Sequence, residues 1–427
     1  MMSILAAFLA SLVVTGLFSH VAVRIGWIDQ LGDQAYRKLR KQPVALVGGA
    51  AILVGVGVAV VLEVAGERRP WEALGRTLGT IAWPGLLAAF VLGLLDDVAE
   101  DGLTARVKFG GQLLVAALVA WYPGSIFADA SALECLGLGL LALIAMNAVN
   151  LFDHADGLAG ILGAFAMFTG TGPMAKLFAG AALGYLPFNL FVRHSAREAP
   201  LDVGEERSRS APYAMLGDSG SHLVGVLIAT TPGAWWFLAL PVLDMLRVVI
   251  GRLRRGRPFW RGDRTHIGHL LEEIGFAPVT VAMLIATALV PPVVTMGLMD
   301  GPAPLAVGLL AGAALYFGML VMADGALPAE GRGPEGERSS AEFDSEARVP
   351  DASLSSVFAR ASGAADRGKG RESALESLDD GEDASGPFAA PGAGPLAGSP
   401  AGSPPESRAG SRETPRGDAS GTPGATT

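Results

Sequence analysis

The chemistry this sequence offers first lies in its acids. Asp96 and Asp97 sit in GLLDDVAED, Asp153 and Asp156 in NAVNLFDHADGLAG, and Asp218 in MLGDSGS. Each group falls where an apolar run meets a polar loop. Carboxylates at bilayer depth are costly and are rarely kept without a role. Hard carboxylate oxygens suit Mg²⁺, which keeps waters and substrate phosphates in its shell. Three acidic groups at one membrane face therefore point to a divalent ion and a phosphate-bearing substrate.

Each group also has a plainer reading. Asp96 and Asp97 could simply mark a solvated helix C-terminus, although the helix dipole disfavours acids there. Lys108 and Arg106, about ten residues on, could neutralise a phosphate. Asn147 and Asn150 are three apart and share a helix face. With Asp153 and Asp156 they could read a base, a sugar or a metal, or form a polar packing cluster between helices. Asp156-Gly157 looks like a break before the next helix. Gly217-Asp218-Ser219-Gly220-Ser221 opens a helix, where free N–H groups face a phosphate and Asp218 a cation. Its alternative is an ordinary N-cap. In PFWRGDRTHIGHLLEEIG, Asp263, His266 and His269 are three apart with Arg261 and Arg264 interleaved. They could bind a diphosphate or move a proton, and a zinc site lacks a clear third ligand nearby. Asn189 and Asp244 are single polar residues in apolar helices. Packing hydrogen bonds are open to both and are the favoured reading for Asp244.

The elements that must position these residues are apolar. Hydrophobic residues make up 51% of the 427 and charged residues 17%, with a mean hydropathy of +0.42. A spanning helix needs roughly 20 apolar residues. Eleven runs qualify: 3–23, 44–65, 80–96, 109–123, 133–151, 157–172, 174–192, 220–231, 233–250, 277–298 and 303–323. The first lacks a basic leader and a small-residue cleavage site, so a retained helix is expected. The expected fold is an all-α integral membrane protein of about eleven transmembrane helices.

Positive charge orients it. Lys and Arg gather in the loops 24–43, 97–108, 193–217 and 251–276. The opposite loops carry none, apart from Arg68, Arg69 and Arg76 in 66–79. The basic loops are then cytoplasmic, with the N-terminus outside and the C-terminus inside. Every acidic group falls on the cytoplasmic face, and the charge count did not use the acids. Beyond residue 324 apolar periodicity stops. That stretch is rich in Gly, Pro, Ala and Ser, and counted from Asp324 the chain holds 18 Asp and Glu against 10 Lys and Arg. It is expected to be a disordered cytoplasmic tail, 325–427, after a membrane domain, 1–324. All but one unit of the net charge of -9 therefore comes from Asp324 and the tail and says nothing about the substrate. The single cysteine, Cys135, excludes an internal disulfide.

The order of motifs adds a resemblance. GLLDDVAED, Lys108 with Gln112, NAVNLFDHADGLAG, LPFN, LGDSGS, PVLD and DRTHIGH follow one another as in the polyprenyl-phosphate N-acetylhexosamine-1-phosphate transferases. The similarity covers roughly residues 1–323. GWIDQLGDQAYRKLRKQPVALVGG also resembles that family's first cytoplasmic loop. The resemblance implies that a lipid phosphate oxygen attacks the β-phosphorus of a UDP-linked amino sugar. UMP leaves and a lipid diphosphate sugar forms, with Mg²⁺ (or Mn²⁺) neutralising charge. It implies catalytic roles for Asp96, Asp97, Asp153 and Asp156, and metal binding by Asp218 and Asp97. It implies substrate binding by Lys108, Asn147, Asn150, Asn189, Asp263, Arg264, His266 and His269. The implied partners are a polyprenyl phosphate, a UDP-amino sugar and the plasma (inner) membrane. No nucleic acid is implied, and a homodimer is left open.

Two positions depart from the family pattern. Gly268 stands where the family's cluster has its middle histidine. His154 stands where the family often has glycine after the acid that Asp153 matches. The Pro43 to Gly49 region resembles the N-acetylglucosamine branch more than the phospho-N-acetylmuramoyl-pentapeptide branch. The latter is the rival enzyme, and a non-catalytic scaffold that works through the tail is the rival class. A transporter would scatter its acids near the midplane, whereas these gather at one face.

Overall fold

Apolar runs bounded by proline, glycine and capping residues become helices here, as their composition dictates. A computed structural model of the chain describes residues 1–25, 27–29, 44–79, 82–99, 102–121, 130–194, 210–258, 265–299 and 301–326. All of these lie in one structural unit, Met1–Gly363. The basic residues of loop 24–43 beyond Arg24, the stretch 195–209, Arg261, Asp263, Arg264 and nearly all of the expected tail lie outside the described residues.

The helices are α1 (Met2–Ile25), α2 (Gly48–Ala65), α3 (Pro70–Leu78), α4 (Trp83–Val98), α5 (Ala105–Trp121), α6 (Ala132–Phe152), α7 (Leu158–Thr169) and α8 (Pro173–Leu190). They continue as α9 (Gly217–Thr230), α10 (Ala239–Arg254), α11 (Ile267–Glu273), α12 (Pro278–Ala286), α13 (Val290–Leu298) and α14 (Pro302–Ala326). Local signals set their ends. Pro70, Pro173 and Pro278 stand in the first turn of α3, α8 and α12, where a missing N–H costs nothing. Ser131 caps α6 through a capping box with Glu134. Gly157, at φ +81°, starts α7, so the break expected at Asp156-Gly157 is present.

By length and composition α1, α2, α6, the α12–α13 pair and α14 can each cross a membrane. A sixth span results if α3 and α4 form one bent crossing. The other apolar runs form shorter or less apolar helices packed among these. The surface confirms membrane character. Leu5, Leu9, Val13, Leu17 and Val21 of α1 are exposed, while Ala7, Ser11, Thr15 and Ser19 are buried. That inside-out pattern suits a helix with lipid on one side and small residues against its neighbours.

Close backbone approach builds the bundle. A Cβ on Gly180 would come within 2.7 Å of the Ile4 carbonyl oxygen, and one on Gly55 within 2.9 Å of that of Ala7. These glycines bring α8 and α2 against α1. Gly225 of α9 meets the Ala145 carbonyl of α6 in the same way, at 2.7 Å.

Two features differ from the expected arrangement of helices and loops. Residues 66–79, read as a loop, contain α3. Short strands also pair: β1 (Ile28–Asp29) runs antiparallel to β2 (Val44–Leu46), β2 is parallel to β5 (Ala214–Met215), and β3 (Val192–His194) is antiparallel to β4 (Ser210–Pro212). Elements of two or three residues carry no periodicity that a sequence pattern could reveal. β2 leads directly into α2 and β5 into α9. Gly49 N–H donates to the Leu216 carbonyl at 3.2 Å, which pins the two helix starts together.

Candidate active site

Four helix ends meet at one end of the bundle: the C-termini of α4 and α6 and the N-termini of α5 and α9. The approach of α4 to α9 is so close that a Cβ on Gly93 would overlap the Asp218 carbonyl. Asp97 closes the contact. Its Oδ1 accepts from Asp218 N–H at 2.7 Å and its Oδ2 from Ser219 N–H at 3.0 Å. A carboxylate from one helix thus satisfies the first free N–H groups of another. Gly217 has φ +74°, and a Cβ there would lie 2.6 Å from Asp97 Oδ2. Glycine is therefore required at this turn on two counts.

Asp96 faces the other way. Its Oδ1 accepts from Leu103 N–H at 2.8 Å, and its Oδ2 accepts from Lys108 Nζ at 3.1 Å. Lys108 Nζ also donates to Asp218 Oδ2. One ammonium therefore joins two carboxylates from different helices. Asn150 Nδ2 completes Asp218, donating to Oδ1 at 2.8 Å and to Ser221 Oγ at 3.0 Å.

Behind this lies a buried relay. Asn147 Nδ2 donates to Gln112 Oε1 at 3.0 Å, and Gln112 Nε2 lies 3.0 Å from His222 Nε2. His222 Nδ1 lies 2.7 Å from the Asp218 carbonyl. A carbonyl only accepts, so His222 carries its proton on Nδ1 and accepts from Gln112 on Nε2. His222 is not among the residues expected from the sequence. Its position four residues after Asp218, on the same helix face, was the signal available.

A second cluster adjoins the end of α6. His266 Nδ1 lies 2.9 Å from Asp244 Oδ2. Arg247 Nη2 donates to Asp244 Oδ1 at 2.9 Å and to the Thr265 carbonyl at 2.9 Å. Arg247 Nε donates to the Tyr316 hydroxyl at 2.9 Å, and that hydroxyl donates to Asp244 Oδ1. Asp244 is thus the hub of a buried cluster, more than the single packing bond that its apolar surroundings suggested. His154 stacks on His266 with ring centroids 4.7 Å apart and lies 5.8 Å from the His269 ring. Burial pushes the His154 imidazole down to about 3, with the neighbouring His266 adding to the effect, so His154 is neutral.

The expected site residues are thus distributed as follows. Asp96, Asp97, Lys108, Asn150 and Asp218 come together directly. Asn147 joins them through Gln112 and His222. Asp153 caps the C-terminus of α6, and Asp156 is buried just before Gly157. Asn189 is taken up by backbone: its Oδ1 accepts from Gly157 N–H at 2.7 Å and its Nδ2 donates to the Ala214 carbonyl at 2.9 Å. His266 and His269 belong to the Asp244 cluster. Asp263 and Arg264 lie outside the described residues.

A divalent ion fits this donor set. Asp96 Oδ2 and Asp218 Oδ2 are hard anionic oxygens that already converge on one cationic atom, Lys108 Nζ. Asp97 lies on the same helix end; its two oxygens accept backbone N–H groups of α9 and do not meet Lys108.

Comparison with known proteins identifies the family. The family model of glycosyl transferase family 4 matches residues 80–232, which hold both helix ends that carry Asp97 and Asp218. A Streptomyces coelicolor protein described as a glycosyltransferase is 30% identical over 300 residues, 66% of each chain. The decaprenyl-phosphate N-acetylglucosaminephosphotransferase of Mycobacterium tuberculosis is 29% identical over 321 residues, 60% of this chain and 73% of that one. The undecaprenyl-phosphate alpha-N-acetylglucosaminyl 1-phosphate transferase of Escherichia coli K12 is 26% identical over 295 residues, 63% of this chain and 75% of that one. The chain therefore spans about two thirds to three quarters of the length of these relatives. It belongs to glycosyl transferase family 4.

Proposed function

We propose that this protein transfers N-acetylglucosamine 1-phosphate from UDP-N-acetylglucosamine to a polyprenyl phosphate, starting a cell-envelope glycan at the cytoplasmic face of the plasma membrane. The observation that carries this reading is the convergence of Asp96, Asp218 and Lys108 at the meeting of four helix ends, with Asn150 bonded to Asp218. The names of the mycobacterial and Escherichia coli relatives support the choice of sugar and lipid. The positive charge of the loops supports the orientation.

In this reading a phosphate oxygen of the lipid forms a bond to the β-phosphorus of the nucleotide sugar. The bond from that phosphorus to the bridging oxygen breaks, and UMP leaves with the electron pair. Lys108 neutralises phosphate charge. Asp96, beside it, is placed to take the proton of a monoprotonated lipid phosphate. Asp97 acts by fixing the start of α9, and so the direction of Asp218. Asp218 and Asp96 would hold Mg²⁺ (or Mn²⁺), which when bound supplies charge neutralisation at the phosphates. His266 and His269 are assigned to the sugar and diphosphate end.

The test uses membranes containing the protein, radiolabelled UDP-N-acetylglucosamine, undecaprenyl phosphate and Mg²⁺. Chloroform-soluble label is expected, lost with EDTA and lost in Asp218→Ala. Label from UDP-N-acetylmuramoyl-pentapeptide instead would move the protein to the muramoyl branch. No label from any UDP-amino sugar would sink the transferase reading.

A further inference from the structure

His154 and Gly268, 114 residues apart in the chain, meet in space. A Cβ built on Gly268 would lie 2.5 Å from His154 Cδ2, 2.8 Å from its Nε2 and 2.9 Å from Ala155 Cβ. Real Cβ atoms do not approach so closely, so a side chain at 268 and the ring of His154 exclude one another. The ring lies where the side chain would begin.

We infer that His154 and Gly268 are a reciprocal pair. The third imidazole of the His266–His269 cluster is delivered from the loop after α6, and His154 is the positioning residue that holds His266 in place. This rests on the transferase reading only for its kinetic consequence.

The hydrogen bonds define what His154 does. Its Nδ1 lies 3.0 Å from the Leu151 carbonyl, so Nδ1 carries the proton. Its Nε2 then accepts from Gly268 N–H at 3.1 Å. Both nitrogens are engaged, and the ring is fixed between the end of α6 and the start of α11. Its face lies on His266 at an interplanar angle of 26°, while Phe152 meets its edge at 5.9 Å. His266 is thereby held from two sides, by the His154 face and by Asp244 at Nδ1. Its Nε2 edge is turned away from Asp244. A carboxylate behind a histidine fixes ring orientation in just this way. The same engagement argues against a metal ion among His154, Asp244 and His266. These groups lie close enough to ligate one, but His154 has no lone pair left for it.

The exchange is tested by a double-mutant cycle on the full chain in detergent. The variants are His154→Gly, Gly268→His and the pair together, and the readouts are thermal unfolding and steady-state kinetics. Gly268→His alone is expected to lower the unfolding temperature, because its side chain has no room beside His154. His154→Gly alone is expected to lower kcat by roughly 10- to 100-fold, the usual cost of removing an orienting partner, when assayed well below its unfolding temperature. In the pair the ring is gone and only the 2.9 Å approach to Ala155 Cβ remains, so the unfolding temperature is expected to exceed that of Gly268→His and kcat to regain at least tenfold over His154→Gly.

Additive losses of unfolding temperature in the pair would overturn the spatial exchange, and that readout needs no activity. Recovery of stability without recovery of kcat would overturn the positioning role, as would a His154→Gly enzyme with wild-type kcat and KM. Failure of the wild-type chain to use any UDP-amino sugar would strike the transferase reading. The thermal arm would still decide the pair.

Discussion

Replacing Lys108 with methionine tests the centre of the site. The substitution keeps the length of the side chain and removes the ammonium that joins Asp96 to Asp218. Removing one partner of a buried ion pair costs about 3–5 kcal/mol, because the remaining charge is left uncompensated. The side chains of Lys108, Asp96 and Asp218 are 22%, 15% and 25% exposed. Water therefore reaches the cluster, and the lower end, about 3 kcal/mol, is expected. For domains of 150–250 residues each kcal/mol moves Tm by about 2–4 °C. A larger chain responds less, so a drop of roughly 5 °C follows in metal-free buffer. Activity is expected to be lost. If the two carboxylates form the divalent-ion site, Mg²⁺ should bind the variant and restore its stability, since no ammonium competes for their Oδ2 atoms. At 100 times its dissociation constant a ligand adds about 2.7 kcal/mol, close to the whole deficit. The wild-type chain should gain less, because the ion must displace the ammonium. The assay is thermal unfolding in detergent, with EDTA and across a Mg²⁺ titration, for both proteins. A variant that unfolds at the wild-type temperature would refute the energetic argument. Equal Mg²⁺ shifts in the two proteins would refute the shared site.

Three further outcomes follow from the same geometry. Asn150→Ala removes two hydrogen bonds, one of them to a carboxylate, and should cost about 2 kcal/mol in thermal unfolding; because Asp218 loses its orientation, turnover should fall by more than the Tm shift accounts for. Gly217→Ala places a Cβ 2.6 Å from Asp97 Oδ2 at φ +74°; the left-handed backbone alone costs about 1–2 kcal/mol, and displacing Asp97 from the start of α9 should add a loss of turnover measurable in the radiolabel assay. Asn189→Leu leaves Gly157 N–H and the Ala214 carbonyl without their partner, so a loss of about 2–4 kcal/mol is expected from two unsatisfied groups; the unfolding temperature should fall while KM for the nucleotide sugar changes little, and a selective rise in KM would instead make Asn189 a substrate contact.

The acids were legible because carboxylates stand out against hydrocarbon. Their assembly was partly legible, because three groups at ends of apolar runs had to lie on one face once the loop charges were counted. The division of labour between Asp96 and Asp97 was not. Neighbours in sequence, they point to different helices, and only the approach of α4 to α9 at Gly93 shows that Asp97 caps while Asp96 meets Lys108. His222 was missed because a lone histidine in an apolar helix usually means little. Its value comes from Gln112, 110 residues away. Asp244 was read as a packing residue because nothing nearby in sequence names Tyr316 as its partner. The strands were invisible at two or three residues each, and α3 was hidden in a segment read only for its charges. Positions 154 and 268 each looked like an isolated departure, because 114 residues separate the two halves of one contact.

What joins the two polar clusters is the last turn of α6. Asn150 binds Asp218, and His154, four residues on, binds the start of α11. A shift of this turn cannot move one cluster without moving the other. The loop that follows is fixed in its turn by Asn189, which ties Gly157 to the strand leading into α9. The acidic centre and the histidine cluster are therefore held by one short segment that hydrogen-bonds to both. In a low-dielectric bundle such a network is rigid when all its groups are paired, and costly when one is not. A phosphate at Lys108 and a sugar at His266 would need a fixed separation, and the Asn150–Gly157 segment is the element that sets it. The contact also has a physical limit: a side chain at 268 and the ring of His154 compete for one space.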